Sequence, residues 1–88
     1  MSATNLACLT PRQVEFLALT AQGKRYSTIA EECFVEVGTV QVILAQAKER
    51  LDAVNLPQAV VKALARDLLQ IDSFGNVSVV TEDSVIPQ

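Results

Sequence analysis

The 88-residue sequence contains no histidine and only two cysteines, three glycines and three prolines. Without histidine, and with Cys8 and Cys33 outside any CxxC pattern, no metal site is expected. Cys33 lies in an apolar helical stretch and is predicted to be a small core residue. The sequence has no nucleophile or paired-carboxylate motif, so we expect neither an enzyme nor a cofactor.

Long hydrophobic runs are also missing from the sequence. No stretch approaches the ~20 apolar residues that a membrane-spanning helix needs. The N-terminus lacks the basic region and the continuous apolar run of a signal peptide. These absences predict a cytoplasmic protein without a membrane partner.

Positive charge is scarce, since seven Lys and Arg against ten Asp and Glu give a net charge of −3. A dedicated nucleic-acid binder is usually basic, so this balance counts against DNA binding. All seven basic residues nevertheless fall within residues 12–66, and two of the acids, Glu82 and Asp83, lie near the C-terminus. The part of the chain that is expected to fold is therefore close to neutral.

Capping signals and the 3.6-residue periodicity of apolar residues predict four helices. They are expected at about residues 11–22, 27–34, 37–52 and 57–70. The first helix is predicted to begin after Thr10, with Pro11 at the first helical position and Gln13 completing a capping box. The second helix is predicted to be capped by Ser27 or Thr28.

Each predicted helix carries an apolar face that is expected to form the core. In the first two helices these faces are Phe16, Leu17, Thr20 and Ala21, and then Ile29, Ala30 and Cys33. In the third helix the face is Val40, Leu44, Ala47 and Leu51, with Ile43 at its edge. In the fourth helix it is Ala59, Val60, Ala63 and Leu64. A further apolar set of the fourth helix, called here the second stripe, is Val61, Ala65 and Leu68.

The helical pattern ends after Asp72, where "SFGNVSVVTEDSVIPQ" holds a Gly-Asn turn and a β-branched run. Two short strands alone are marginal in water. We therefore predict a tail that is flexible, or a short strand laid on the domain or on a partner. The expected organisation is an N-terminal extension (1–8), a helical domain (9–71) and this tail (72–88). The starting methionine favours a stand-alone protein over the C-terminal domain of a longer one.

Four short helices with a three-residue turn between the second and third form a helix-turn-helix domain. The segments "LTPRQVEFLALTAQGK", "IAEECFVEVGTV" and "RLDAVNLPQAV" resemble the DNA-binding domain of the LuxR/GerE family of bacterial transcription regulators over about residues 9–70. The resemblance implies an all-α, four-helix fold with the third helix, about 37–52, in the DNA major groove. Most of the matching residues are core, cap or turn positions, so DNA binding follows only by analogy.

The expected contact positions depart from the family pattern. Gln41 replaces a basic residue, Ile43 replaces a histidine, and Glu36 replaces the serine that precedes the third helix. Ser27 and Ala45 stand at positions that are otherwise basic or polar. Because phosphate neutralisation supplies most non-specific affinity, a lone domain is expected to bind DNA weakly.

The outward residues of the third helix could still recognise A·T-rich DNA. Gln41 and Gln46 can bond to adenine edges, Val42 and Ala45 can contact thymine methyl groups, and Thr39 can contact a phosphate. Further phosphate contacts are predicted for five basic residues: Arg12, Lys24, Arg25, Lys48 and Arg50.

These observations leave two functions open. The leading prediction is a sequence-specific DNA-binding transcription regulator that forms a homodimer through the second stripe of the fourth helix. The alternative is a degenerate helix-turn-helix that serves as a protein-interaction module and pairs with or antagonises another regulator. The neutral third helix and extra apolar residues such as Val14 and Leu19 favour the alternative. The second stripe could also be covered within one chain, if "VSVV" at 77–80 folds back over it.

Overall fold

In the computed structural model, which describes residues 9–80, four α-helices are followed by a short β-hairpin. The elements are α1 (Pro11–Ala21), α2 (Tyr26–Cys33), α3 (Val37–Arg50), α4 (Leu56–Ala65), β1 (Leu69–Ile71) and β2 (Val77–Val79). The predicted four-helix fold with a strand-like tail is confirmed. The predicted extension 1–8, which includes Cys8, and residues 81–88 lie outside the described residues. None of the helices within 9–80 has the length and apolar character to cross a membrane.

Side-chain caps fix the starts of α1 and α4. The Thr10 hydroxyl accepts from the Gln13 backbone N–H, and Gln13 Oε1 accepts from the Thr10 backbone N–H, each at 3.1 Å. The predicted capping box is therefore confirmed. Asn55 caps α4, because its Oδ1 accepts from the Gln58 backbone N–H at 2.9 Å.

The helix starts of α2 and α3 have no side-chain cap. The prediction that Ser27 or Thr28 caps the second helix is wrong, because α2 already begins at Tyr26 and its N-cap residue is Arg25. Glu36, the N-cap residue of α3, makes no capping hydrogen bond with its side chain. The first N–H groups of both helices therefore lack the side-chain oxygen that normally satisfies one of them.

The apolar faces of the helices meet in a single core. The inward stripe of α3, defined as Val40, Leu44, Ala47 and Leu51, is at most 1% exposed, as predicted. The predicted faces of α1 and α2 also reach the core through Phe16, Leu17 and Ile29, all fully buried. On α4 the two alanines, Ala59 and Ala63, are fully buried, whereas Val60 and Leu64 are half-buried. Full burial of a Leu, Ile or Phe side chain stabilises the fold by about 1.5–3 kcal/mol relative to exposure.

The end of α4 differs from the prediction. The helix stops at Ala65 rather than near residue 70, because Asp67 adopts a left-handed conformation with φ 61°. The Leu68 N–H then bonds to the Ala63 carbonyl at 2.9 Å, and the Asp67 N–H bonds to the Leu64 carbonyl at 3.1 Å. This Schellman motif ends the helix. Leu68 is consequently not on α4, and it packs half-buried against the core.

The hairpin is stable because it packs on the helices. β1 and β2 pair antiparallel with Leu69 opposite Val79 and Ile71 opposite Val77. Val77 is 6% exposed, and Gln22 of the α1 C-cap donates from Nε2 to the Val77 carbonyl at 2.8 Å. The prediction of a short strand laid on the domain is thus confirmed for residues 77–79.

The hairpin leaves Val61 of the second stripe uncovered. β2 packs on α1, and β1 is the strand that contacts α4. Val61 remains 61% exposed. The alternative that "VSVV" folds back over the second stripe therefore fails at Val61. Beside Leu68 the segment does lie against the chain, since the Val80 N–H bonds to the Leu68 carbonyl at 3.0 Å and Leu68 is half-buried.

Candidate nucleic-acid interface

The helix-turn-helix consists of α2, residues 34–36 and α3. Phe34 turns the chain with a left-handed φ of 57°, and the Val35 N–H bonds to the Ala30 carbonyl at 3.0 Å. Few residues other than glycine and asparagine adopt this backbone conformation readily. The Phe34 side chain is 93% exposed, so the aromatic ring contributes little to the core.

The outward side of α3 carries the predicted DNA contacts. Thr39, Gln41, Val42, Ala45 and Gln46 are all exposed, and they span less than half of the helix circumference. We call these five residues the recognition surface. None of them is charged, so the surface offers amide groups, a hydroxyl and small apolar groups to a ligand. Amides match adenine edges, and small apolar groups match thymine methyls.

The side-chain amide of Gln46 accepts a hydrogen bond from a buried residue, Gln13. Among the described residues, Gln13 is the one polar side chain that is buried, at 4% exposure. Since Gln13 Oε1 accepts from the Thr10 N–H, its Nε2 faces α3 and donates to Gln46 Oε1 at 3.2 Å. A bidentate contact with adenine needs both the oxygen and the nitrogen of the amide, so Gln41 is better placed for it than Gln46.

Two of the predicted phosphate contacts are paired with acids. Arg12 lies 3.7 Å from Glu15 and stacks over the Phe16 ring, with 5.4 Å between the guanidinium carbon and the ring centroid. Lys24 Nζ lies 2.8 Å from a carboxylate oxygen of Glu32. Exposed pairs of this kind contribute about 0–1 kcal/mol to stability, but each offsets a positive charge that DNA would otherwise meet.

Two other predicted phosphate contacts are unpaired. Arg25 and Lys48 make no ion pair with any residue in 9–80. Arg25 precedes α2 and is exposed, and Lys48 lies in the last turn of α3 and is half-buried. The fifth residue, Arg50, makes an interaction of its own, so two of the five predicted basic residues carry an unpaired positive charge.

Cys33 lies beside the paired arginine and is half-buried, which fits the small packing residue that was predicted. Burial raises the pKa of the Cys33 thiol, the Glu15 carboxylate raises it further, and Arg12 opposes both. The thiol therefore stays protonated near neutral pH, and its chemistry is that of an apolar side chain.

A notch of about 130 Å³ opens between α2, α3 and the start of α4. Its lining consists of Tyr26, Gln41, Leu44, Ala45, Lys48 and Leu56. The second helix predicted from the sequence begins at about residue 27 and so leaves Tyr26 outside every helix, whereas α2 begins at this residue. No local pattern could have found this residue, since its neighbours in the notch come from two later helices.

The predicted dimer residues lie later in the chain than the recognition surface, on α4 and in the turn that follows it. Val61 is 61% exposed and Ala65 is exposed, whereas Leu68 is half-buried beyond the helix end. An apolar groove of about 420 Å³ adjoins α4 and is lined in part by Val60, Leu64 and Ile71. The assignment of the second stripe to a dimer interface remains a prediction.

A family model described as bacterial regulatory proteins of the luxR family matches residues 7–63. This match extends from before α1 into α4 and covers more than half of the chain. The protein belongs to the luxR family, and the resemblance seen in the sequence is confirmed.

Two curated relatives are similar to the chain. The HTH-type quorum sensing-dependent transcriptional regulator RpaR of Rhodopseudomonas palustris is 40% identical over 63 residues, which are 72% of this chain and 26% of the relative. The transcriptional regulatory protein LiaR of Bacillus subtilis is 38% identical over 55 residues, which are 62% of this chain and 26% of the relative. In both cases the similarity spans about a quarter of the relative's length. No solved structure matches the chain significantly.

Proposed function

We propose that the protein acts in bacterial transcription regulation by binding DNA, with α3 in the major groove. The observation that carries this proposal is the division of α3 into a buried inward stripe and an exposed recognition surface. The two relatives are named as transcriptional regulators, which supports the same role for this chain. A regulator of this kind acts in the cytoplasm, where the DNA is.

In this proposal, Gln41 is the principal base reader. Its amide has no partner among the described residues, and it can form two hydrogen bonds to an adenine edge. Val42 and Ala45 flank it and contact thymine methyl groups, and Thr39 bonds to a phosphate near the helix start. Gln46 donates one hydrogen bond from its free NH₂ group. The preferred DNA is therefore rich in A·T pairs at the centre of each half-site.

We further propose that two copies pair through α4. Val61 and Ala65 supply an exposed apolar surface on the helix, whereas Leu68, in the turn that follows, is half-buried against the core and offers less of its side chain. A two-fold pair would place two copies of α3 about one DNA turn apart, ~34 Å. Pairing also doubles the number of cationic contacts, which offsets the low charge of each domain.

The alternative function is a protein-interaction module that pairs with or antagonises another regulator. Two exposed apolar residues at the helix-turn-helix favour it, because Phe34 is 93% exposed and Val37 is 40% exposed. Exposed apolar residues at one place are typical of protein contacts. Such a module would not need any affinity for DNA.

Fluorescence anisotropy distinguishes the two functions. A labelled duplex from the region upstream of the protein's own coding sequence is titrated at low salt, beside a shuffled duplex of equal composition. A DNA-binding regulator binds both duplexes and prefers the upstream one. Absence of binding to either duplex would overturn the proposal in favour of the interaction module.

Sedimentation tests the dimer separately. Val61→Glu is expected to give a folded monomer that binds a two-half-site duplex much more weakly, because a charge in an apolar interface costs several kcal/mol. Val54→Glu is the matched control, since Val54 is 77% exposed in the loop before α4. A wild-type protein that remains monomeric at high micromolar concentration would rule out the dimer.

A further inference from the structure

We infer that the notch beside α3 is a phosphate-binding site, in which Tyr26 and Lys48 hold one phosphodiester group of the DNA backbone. The inference rests on the proposed function and adds a contact that fixes where α3 sits in the groove. Phosphate contacts set the register and orientation of a DNA-binding protein, and base contacts then read the sequence. A phosphate held in the notch would set the position of Gln41, which lines the same notch.

The first argument is the availability of Lys48. Arg12 and Lys24 are paired with acids, and Lys62 donates to the Asp52 carbonyl at 2.7 Å. Lys48, in contrast, has no ion pair or side-chain hydrogen bond to any residue in 9–80. Its side chain is half-buried and lines the notch, so the stem has less freedom to lose when DNA arrives. Such preorganisation lowers the entropic cost of binding.

The second argument concerns Tyr26, the first residue of α2. Its ring is half-buried, and its hydroxyl makes no hydrogen bond with a described residue. The hydroxyl is open to solvent, so it is available to donate to an incoming acceptor. Because α2 has no side-chain cap, its first backbone N–H groups also favour a negative charge nearby.

The third argument is the arrangement of the notch. Tyr26 stands on the α2 side, and Lys48 stands on the α3 side. Helical side chains lean toward the helix N-terminus, so the Lys48 stem extends over Ala45 in the direction of Gln41. Ala45 is small and leaves the notch open. None of the described residues that line it carries a carboxylate, so nothing in the lining repels a phosphate.

The test compares the salt dependence of DNA affinity for wild type, Tyr26→Phe, Lys48→Gln and the control Lys62→Gln. All four are first checked for folding by thermal unfolding. Lys48→Gln is expected to weaken binding to the upstream and shuffled duplexes alike and to reduce the slope of log K against log salt by about 0.9, which is one phosphate contact. Tyr26→Phe keeps the ring and removes the hydroxyl, so we expect about tenfold weaker binding with an unchanged slope. Lys62→Gln is expected to leave the slope unchanged.

Three results would overturn the inference. If wild type binds DNA and both notch variants match it in affinity and slope, the notch is not a contact, while the proposed function stands. If only Lys48→Gln has an effect, Lys48 acts alone and the two-sided site is wrong. If wild type binds no duplex, the proposed function and the notch fail together.

Discussion

The inward stripe of α3 is at most 1% exposed, whereas Val42 on the recognition surface is 55% exposed. The luxR family model matches residues 7–63, which include both the inward stripe and the recognition surface. The recognition surface, in contrast, is uncharged and includes Gln41. Packing constrains the inward residues whatever the protein binds, whereas the core places no such constraint on the exposed residues. Similarity of fold therefore says little about DNA affinity, which has to be argued from the exposed residues.

The largest expected effect comes from a cavity-forming substitution in the inward stripe of α3. Leu44→Ala removes a side chain that is 1% exposed and should lower the free energy of unfolding by about 2–5 kcal/mol. Urea denaturation measures this loss. Val42→Ala on the outward side is the control and is expected to change the free energy of unfolding by less than about 0.5 kcal/mol. Similar losses for the two variants would show that the two sides of α3 are not distinct.

The second prediction changes the outward side without affecting the core. Gln41→Ala should weaken binding to the preferred duplex by about 1–3 kcal/mol, the size of one good base contact, and leave the unfolding midpoint unchanged. Gln41→Lys should raise the affinity and steepen the salt dependence, because it adds a positive charge to the recognition surface. Anisotropy titration gives both values. Equal affinity of Gln41→Ala and wild type would mean that Gln41 does not read DNA.

The third prediction concerns the hydrogen bond between Gln13, which is buried on α1, and Gln46 on the recognition surface. Gln13→Ala removes both the α1 cap partner and the donor to Gln46, so we expect a loss of about 1–2 kcal/mol in stability. Gln46→Ala removes only the second bond and should cost less than about 1 kcal/mol. A double-mutant cycle should give a coupling of roughly 0.5–1 kcal/mol. Strictly additive losses would show that the bond contributes nothing.

The smallest effect is expected in the hairpin, far from α3 in the sequence. The backbone N–H and side-chain amide of Asn76 lower the pKa of Asp72 below its ordinary value of 3.8, with further help from the Phe74 N–H. A lowered folded-state pKa means that the ionised carboxylate stabilises the turn above pH 3.8 and that this stability is lost as the pH falls through the folded-state value.

Amide exchange of Phe74 and Asn76 measures this loss as the pH is lowered from about 5 to about 2, with rates corrected for intrinsic exchange. The Asp72→Asn variant is the control, because its side chain does not titrate. An identical pH dependence in the variant and in wild type would show that Asp72 does not hold the turn.

The sequence predicted the parts of the fold that depend on local patterns. The Thr10 capping box and the inward stripe of α3 follow from spacing alone, and both are confirmed. The end of α4 did not follow, because Leu68 and Leu69 continue an apolar pattern that suits a helix or a strand equally. The helix ends because Asp67 adopts a left-handed conformation. The spacing of apolar residues in the sequence does not reveal this conformation.

The sequence predicted only the part of the candidate site that lies on α3. A helical wheel predicted the exposure of Gln41 and its neighbours. It could not predict that Gln13, 33 residues earlier, would bond to Gln46, or that Glu32 would pair with Lys24. The role inferred for Tyr26 likewise depends on tertiary contacts between helices. Non-local contacts of this kind decide which polar groups remain available to a ligand.

The most direct test of the account is the salt dependence of wild-type binding to the upstream duplex. With Arg25 and Lys48 as the unpaired cations of the interface, log K should fall against log salt with a slope of about −2 per bound domain. Binding with that shallow slope and a preference for the upstream duplex is the predicted result. A slope near −4.5 would mean that all five predicted basic residues neutralise phosphates. That slope, or no binding at low salt, would contradict the claim that a largely uncharged helix reads DNA.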